Sequence, residues 1–361
     1  MNIEHLYLPM QTEYLIIGQG ISGSFLSYYL RKEGKDFIVI DNNNSRSPSK
    51  IAAGIINPVT GRRLVTVWKV DEVLPFAWDA YQHIGHELNI TAISQKSIID
   101  FFPNPFMRES FLQKIGTGDK YVHPYPEQNH FNNFFNYDLG CGEIRPVYTA
   151  HLETLLPAWR QQLQKENKLL EEDFDIAQLK VEKNKVHYKN ITADKIIFCD
   201  GTSSFENPFF KQLPFAPNKG EALVLHIPGL PDQHIYKKGL MIVPLAQPDL
   251  FWVGASYIWD FDNSDPTETF RQNTEKALQQ WLKIPFTVVE HRSGLRPATL
   301  ERRPFVGFHP VHTNVGILNG MGTKGCSLAP FFARQLTDHL LYEEPIAVDA
   351  GIERFKKILM R

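Results

Sequence analysis

An α/β fold that opens on a strand–helix–strand unit is what the sequence predicts, on three observations. Tyr14 to Ile17 form a short apolar run of the kind that makes a buried strand, and it leads directly into Gly18-Gln19-Gly20-Ile21-Ser22-Gly23. Phe25, Leu26, Tyr29 and Leu30 then recur at helical spacing until Gly34 supplies a C-terminal stop. A second apolar run, Phe37 to Ile40, ends at Asp41, which follows Gly18 by 23 residues.

Each part of this unit has a physical role in a Rossmann-type turn. Gly18 permits the tight turn, Gly20 lets the backbone approach a pyrophosphate, and Gly23 lets helix and strand pack closely. The amides of Ile21 and Ser22 open the helix, where unpaired N–H groups and the positive end of the dipole suit phosphate. Asp41 stands where an acid bonds a ribose hydroxyl. The reading is dinucleotide binding. The unit alone leaves open whether the dinucleotide is NAD or FAD.

The whole chain bounds the alternatives. Its 361 residues correspond to about two domains, enough to bury a core without staples. With 43% hydrophobic and 22% charged residues it is a globular composition, neither disordered nor fibrous. A formal net charge of −2 gives no field-driven affinity for nucleic acid or acidic membrane. Cys141, Cys199 and Cys326 are widely spaced, with no CxxC pair, so neither a disulfide framework nor a zinc site is expected. The start, MNIEHLYLPMQTEYLIIGQG, has no basic leader, and no later run approaches a membrane span. The expected location is the cytoplasm.

Two further segments belong to the same picture. Ala193 to Phe198 read as a buried strand ending at Cys199-Asp200-Gly201, where Gly201 either lets the chain pass a cofactor or simply turns it. Lys180 to Lys189 read as a polar hairpin with Asn184 near its turn. Downstream, Val315 to Leu318 lead into Asn319-Gly320-Met321-Gly322-Thr323-Lys324-Gly325, followed by Leu328, Phe331, Phe332, Gln335 and Leu336 at helical spacing. Few residues remain after this turn and no second ribose acid follows. It reads instead as a helix N-terminus aimed at an electron-rich group, the alternative being a merely flexible entry turn.

In order along the chain, GQGISG, Lys50-Ile51-Ala52-Ala53-Gly54-Ile55-Ile56-Asn57-Pro58, Ser293-Gly294-Leu295-Arg296-Pro297 and GMGTKGCSLAP resemble the superfamily of D-amino-acid, glycine and sarcosine oxidases. Lys219-Gly220-Glu221, Met241-Ile242-Val243-Pro244 and Trp252-Val253-Gly254-Ala255 support the resemblance, which runs from about Tyr14 to about Phe355. It implies a Rossmann-type FAD-binding domain of the glutathione-reductase-like class, joined to a mixed α+β substrate domain with an antiparallel sheet. It assigns residues 11–75, 144–215 and 300–361 to the first, and 76–143 and 216–299 to the second. Noncovalent FAD would lie along Gly18, Gly20, Ile21, Ser22 and Gly23, with Asp41 at the ribose and Val181 and Gly201 at the adenine end. Ala52, Ala53, Gly54 and Arg296 would line the flavin. Gly322, Thr323, Lys324 and Gly325 would sit near its pyrimidine edge.

The resemblance also implies that Arg296 forks onto a substrate carboxylate, a task its planar guanidinium suits. The alternative is an internal ion pair with Glu290 or Glu301. The tyrosine often found before the Ile-Val-Pro strand is Met241 here, so Tyr236, Tyr257, Trp259 and His291 are candidates to replace its hydroxyl. Tyr257 and Lys324 join Arg296 as the expected catalytic set, Lys324 as a cation near flavin or as a solvated lysine. Arg62, Arg63, Lys69, Arg302 and Arg303 are read as an acidic-ligand patch or a solvated face.

The expected function is FAD-dependent oxidation of the C–N bond of a small amine or amino acid, by oxidase or dehydrogenase chemistry. Dioxygen or another acceptor would take the electrons. The alternatives are oxidation of a carboxymethylaminomethyl group on a tRNA uridine, suggested by the AAGIINP likeness, and a flavin-binding protein without amine oxidase activity. Nucleic acid is disfavoured as a partner, and no metal is expected.

Overall fold

A computed structural model describes residues 9–361. Part of the leader reading concerns residues 1–8, which lie outside the described residues. Among the described residues no helix is long and apolar enough to cross a membrane. The three cysteines are buried and unpaired.

Two sheets organise the chain. The first is centred on the parallel strands Ile191–Phe198, Met10–Ile17, Phe37–Ile40 and Leu169–Leu170, side by side in that order. Phe37–Ile40 is buried throughout, as a strand covered on both faces must be. Val315–Asn319 pairs in parallel with the upper half of Ile191–Phe198, and the hairpin Leu179–Val181/Val186–Tyr188 pairs with its lower half. Helices Ile21–Lys32, Leu152–Lys165 and Gly325–Tyr342 cover one face through Phe25, Leu26, Leu155, Trp159, Phe332 and Leu336. Phe210, Ile352 and Phe355 close the other face.

The second sheet runs Thr287–Arg296, Asn218–His226, Leu250–Gly254, Leu240–Pro244, His234–Lys238, Ile93–Phe101, Cys141–Ala150 and Ile55–Ile56. Almost all of its pairings are antiparallel. Side chains alternate between two environments. Leu223, Leu225, Tyr236, Ile242 and Phe251 face an aromatic cluster with Phe131, Phe135 and Trp281. Ala222, Ile235, Val243 and Trp252 face the first sheet's helices.

The chain crosses between the sheets at other points than the expected boundaries. Cys141–Ala150 stays in the second sheet to its end, because its pairing with Ile93–Phe101 continues through Ile93 opposite Ala150. Ile55–Ile56 also joins that sheet, opposite Tyr148 and Thr149.

Candidate active site

The glycine turn sits at the C-terminal end of the parallel strands, as the sequence predicts. Gly18 has φ +98°, and a Cβ there would lie 2.6 Å from the Cys199 carbonyl oxygen. A Cβ on Gly23 would lie 1.9 Å from the Gly18 oxygen. These two glycines hold strand ends and helix together. Gly20 differs, since a Cβ there meets only Ser49 Oγ, at 3.3 Å. Ser49 Oγ takes the Ile21 N–H at 3.0 Å, and the amides of Ser22 and Gly23 have no partner among the described residues. An open glycine beside unpaired first-turn amides is a cradle for pyrophosphate.

Asp41 accepts the Gln19 N–H and the Asn43 N–H, each at 2.8 Å, and pairs with Arg160 Nη1 at 2.7 Å. Sequence reasoning missed Arg160, whose side chain is only 8% exposed. It offsets the Asp41 charge and holds the carboxylate in place. Helical spacing in Leu152–Lys165 identifies the buried face but names no partner 119 residues away.

Residues 46–54 lie in the seam between the sheets. Ser49 touches the first helix, the Ile51 carbonyl accepts Trp252 Nε1 at 2.9 Å, and Gly54 packs on Ala150 with φ +76°. Ala53 and Gly54 are buried while Ala52 is exposed. A second helix start meets the first here. A Cβ on Gly325 would lie 3.5 Å from Ile21 Cγ2, and Gly325–Tyr342 also has no side-chain cap. Gly322 N–H donates to the Pro297 carbonyl at 3.1 Å, which ties this turn to Arg296.

Behind the turns, half-buried Asp200 accepts from Ser204 Oγ and from Asn319 Nδ2, while Asn319 Nδ2 also reaches the Gly201 carbonyl at 2.8 Å. Burial pushes the Asp200 carboxyl up to about 6. Gly201 itself has φ +58° with open space beside it.

Arg296 ends the edge strand opposite Asn218. Its Nη1 donates to Asn218 Oδ1 at 2.5 Å and its Nη2 to the Ser256 carbonyl at 3.2 Å. The guanidinium lies over Gly220, where a Cβ would come within 2.0 Å of Nη2. No carboxylate lies within ion-pair distance among the described residues, so the pairing with Glu290 or Glu301 is not formed. Those acids bind Arg292 and Arg354 instead. Burial pulls the Arg296 pKa below its ordinary value, with a small opposing effect of Tyr257.

Of the four candidates to replace the hydroxyl missing at Met241, one touches Arg296. The Tyr257 ring lies 5.5 Å from the guanidinium. Trp259 stacks edge-on against Tyr257 at 5.2 Å. Tyr236 is turned into the aromatic cluster, its hydroxyl donating to the Pro231 carbonyl at 2.8 Å. His291 bonds buried Glu221 on that same far face, Nε2 to Oε2 at 3.0 Å. Beyond Met241, Lys237 is already paired with Asp100 at 2.7 Å.

Lys324, at the mouth of the second helix start, is half-buried, and its ammonium makes no hydrogen bond or ion pair among the described residues. Desolvation pulls its ammonium down to about 8. Cys326 is buried, and burial pushes its thiol up to about 12.

The structure does not bring Val181 to this site. Val181 pairs with Val186, which lies opposite Ala193, near the start of the parallel strand that ends beside Gly18. At about 3.3 Å per residue that is roughly 20 Å below the crevice. The strand's upper edge is taken by Val315–Asn319, which confines the hairpin to the lower half.

Residues 132–339 match the family model described as DAO, FAD dependent oxidoreductase. The chain belongs to this family. As a member it is an FAD-dependent oxidoreductase acting on C–N donors of the amine or amino-acid kind. It is 24% identical to glycine oxidase of Bacillus subtilis (strain 168) over 364 aligned positions, covering 92% of this chain and 94% of that protein. Glycine oxidase of Pseudomonas aeruginosa is 26% identical over 162 positions, an alignment spanning 43% of this chain and only 44% of that protein. Among solved structures, glycine oxidase from Geobacillus kaustophilus superposes with a TM-score of 0.77 at 16% identity, covering 96% of this chain and 98% of its own. That last likeness concerns the fold.

The residues present fit FAD. The open glycine at position 20, the unpaired amides of Ser22 and Gly23 and the fixed Asp41 adjoin a second uncapped helix start, which the Gly322–Pro297 hydrogen bond ties to the Arg296 segment.

Proposed function

We propose that the chain oxidises a small amino acid or N-substituted amino acid at the carbon bearing nitrogen, holding the substrate by its carboxylate. The observation that carries this reading is Arg296: a largely buried guanidinium whose partners are two neutral oxygens, Asn218 Oδ1 and the Ser256 carbonyl. A desolvated cation without a counter-ion is costly unless an anion completes it. Its remaining donors, arranged as a rigid fork, suit a planar carboxylate.

FAD, when bound, supplies the two-electron acceptor for hydride from the substrate carbon. Gly18, Gly20, Ile21, Ser22 and Gly23 hold its pyrophosphate, Asp41 its ribose, and Gly201 the chain beside it. Ala52, Ala53 and Gly54 face the ring system, with Gly322, Thr323, Lys324 and Gly325 along its pyrimidine edge. We take FAD to be noncovalent, since the Cys326 thiol stays protonated and its carbonyl is engaged by Tyr81.

Arg296 fixes the carboxylate and thereby aims the neighbouring C–H, a positioning role that lowers the entropic barrier. Asn218 and Ser256 hold the fork from behind, while Tyr257 walls it on the open side. Lys324 offers a cation where negative charge develops. The substrate amine, entering neutral, uses its own lone pair, so no protein base is required. The resulting imine is hydrolysed by water.

Anaerobic addition of amino acids and N-methyl amino acids to the purified flavoprotein tests the reading. Bleaching of the flavin bands by one class supports it and names the donor. A flavin spectrum that no carboxylate-bearing amine bleaches refutes it.

A further inference from the structure

Beside Arg296 stand two exposed aromatic side chains: Tyr257, which walls the fork, and Trp259, which the binding of a carboxylate and a C–N bond leaves unexplained. Tyr257 is 48% exposed and Trp259 52% exposed, in a region where neighbouring strands bury their large apolar side chains. The two rings meet edge to face at an interplanar angle of 82°. Tyr257 contacts the Arg296 guanidinium, and Trp259 lies one ring further out against Tyr257.

Their backbone is not a loose loop. Ser256 N–H donates to the Glu221 carbonyl at 3.1 Å. Ile258 and Lys219 exchange two backbone hydrogen bonds at 3.0 and 2.9 Å. The Asn218 side chain adds a fourth bond, to the Ile258 carbonyl at 2.9 Å. Asn218 is the same residue that orients Arg296. The aromatic pair and the carboxylate anchor are therefore set by one strand, and the platform is pre-organised relative to the fork. A rigid, exposed aromatic face next to a half-buried anchor suits a ligand with a second, planar group.

Charge narrows the class. Asp260 and Asp262 follow directly, are exposed, and make no ion pair or hydrogen bond among the described residues. Asp265 pairs with Arg46. A polyanionic chain such as RNA is repelled by this rim, whereas a neutral or cationic ring is not.

We propose that the substrate is an amino acid or N-substituted glycine bearing a planar aromatic or heteroaromatic group, neutral or cationic, which stacks on Trp259 and Tyr257 while Arg296 holds the carboxylate. This rests on the reading of Arg296 given above. It names what lies at the other end of the molecule.

Binding of ethers that lack the amine tests it without turnover. Methoxyacetate, benzyloxyacetate and cyclohexylmethoxyacetate are titrated into the holoenzyme, followed by the flavin difference spectrum and by tryptophan fluorescence. Benzyloxyacetate is expected to bind about fivefold more tightly than the cyclohexyl ether, the margin expected of an aromatic pair. In Trp259→Ala that margin disappears while the methoxyacetate affinity is unchanged, and in Trp259→Phe most of it returns. Because Trp259 is exposed, both variants are expected to fold, which far-UV circular dichroism checks. Equal affinity for the phenyl and cyclohexyl ethers overturns the proposal and leaves the carboxylate anchor standing. So does a Trp259→Ala variant that changes only the oligomeric state, or an RNA that binds the holoenzyme in competition with benzyloxyacetate. If methoxyacetate binds neither wild type nor Arg296→Met, the anchor fails first and this inference with it.

Discussion

Replacing Arg296 by methionine separates a substrate anchor from a structural cation, because the two roles predict opposite balances of activity and stability. An arginine in a buried ion pair loses about 3–5 kcal/mol of stability when truncated, since its acid is left uncompensated. Arg296 leaves no acid behind. Its removal frees Asn218 Oδ1 and the Ser256 carbonyl, each losing about 1 kcal/mol of hydrogen bonding, and relieves the desolvation that already pulls its pKa down. These effects oppose one another, so the net change in unfolding free energy is expected to be about 1 kcal/mol or less. Substrate binding fares differently. Loss of a desolvated fork to a carboxylate costs about 3–4 kcal/mol, or two to three orders of magnitude in kcat/KM. The assay pairs steady-state kinetics with chemical denaturation. Methoxyacetate at about one hundred times its Kd should stabilise wild type by about 2.7 kcal/mol and leave Arg296→Met unmoved. A variant destabilised by 3 kcal/mol or more that retains methoxyacetate binding would refute the reasoning.

Three further outcomes follow from the same geometry. Gly220→Ala places a methyl where Arg296 Nη2 now lies, 2.0 Å away, so KM is expected to rise about tenfold or more while the flavin absorbance of the purified protein is retained. The Asp200 carboxyl is raised from 3.8 to about 6 in the fold. The native state therefore holds the extra proton between those values, and stability falls as pH rises through that window. Asp200→Asn lacks this loss and should exceed wild type by up to about 3 kcal/mol at pH 7.5, with no difference below pH 3.8, as read by urea melts. Lys324 has the reverse sign: its folded pKa is about 8 against 10.5, so the unfolded chain binds more protons and stability rises between those values. Lys324→Met should stabilise the FAD-free protein at pH 7 by about 2 kcal/mol, an advantage gone above pH 10.5, while slowing flavin reduction in stopped-flow traces.

The strand, glycine turn, helix and second strand were legible because their requirements are local. Gly18 and Gly23 must be glycine for reasons of a few ångströms within one contiguous unit, and strand, turn, helix and acid follow in sequence. What stayed hidden was long-range. Arg160 reaches Asp41 across 119 residues and Asn218 reaches Arg296 across 78, and neither pairing leaves a periodic trace in the chain. Val181 was misplaced for a related reason. A hairpin's position along its neighbouring strand depends on which part of that strand's edge is free, and Val315–Asn319 had taken the upper part.

The substrate half turns on parity. Tyr236 and Met241 lie on adjacent strands, but Lys237 is the residue opposite Met241, so Tyr236 points to the far face of the sheet. His291 sits opposite Leu223 and shares that fate, while Arg296, opposite Asn218, faces the crevice. One residue of slip in either pairing would reverse these assignments. Composition and motif order leave that register open. Its consequence is chemical: with Met241 on the site face and Tyr236 and His291 turned away, no sheet tyrosine or histidine among these candidates walls the proposed carboxylate site. That wall is left to Tyr257, on the segment following the sheet, and the residue two positions further on, Trp259, extends it toward solvent.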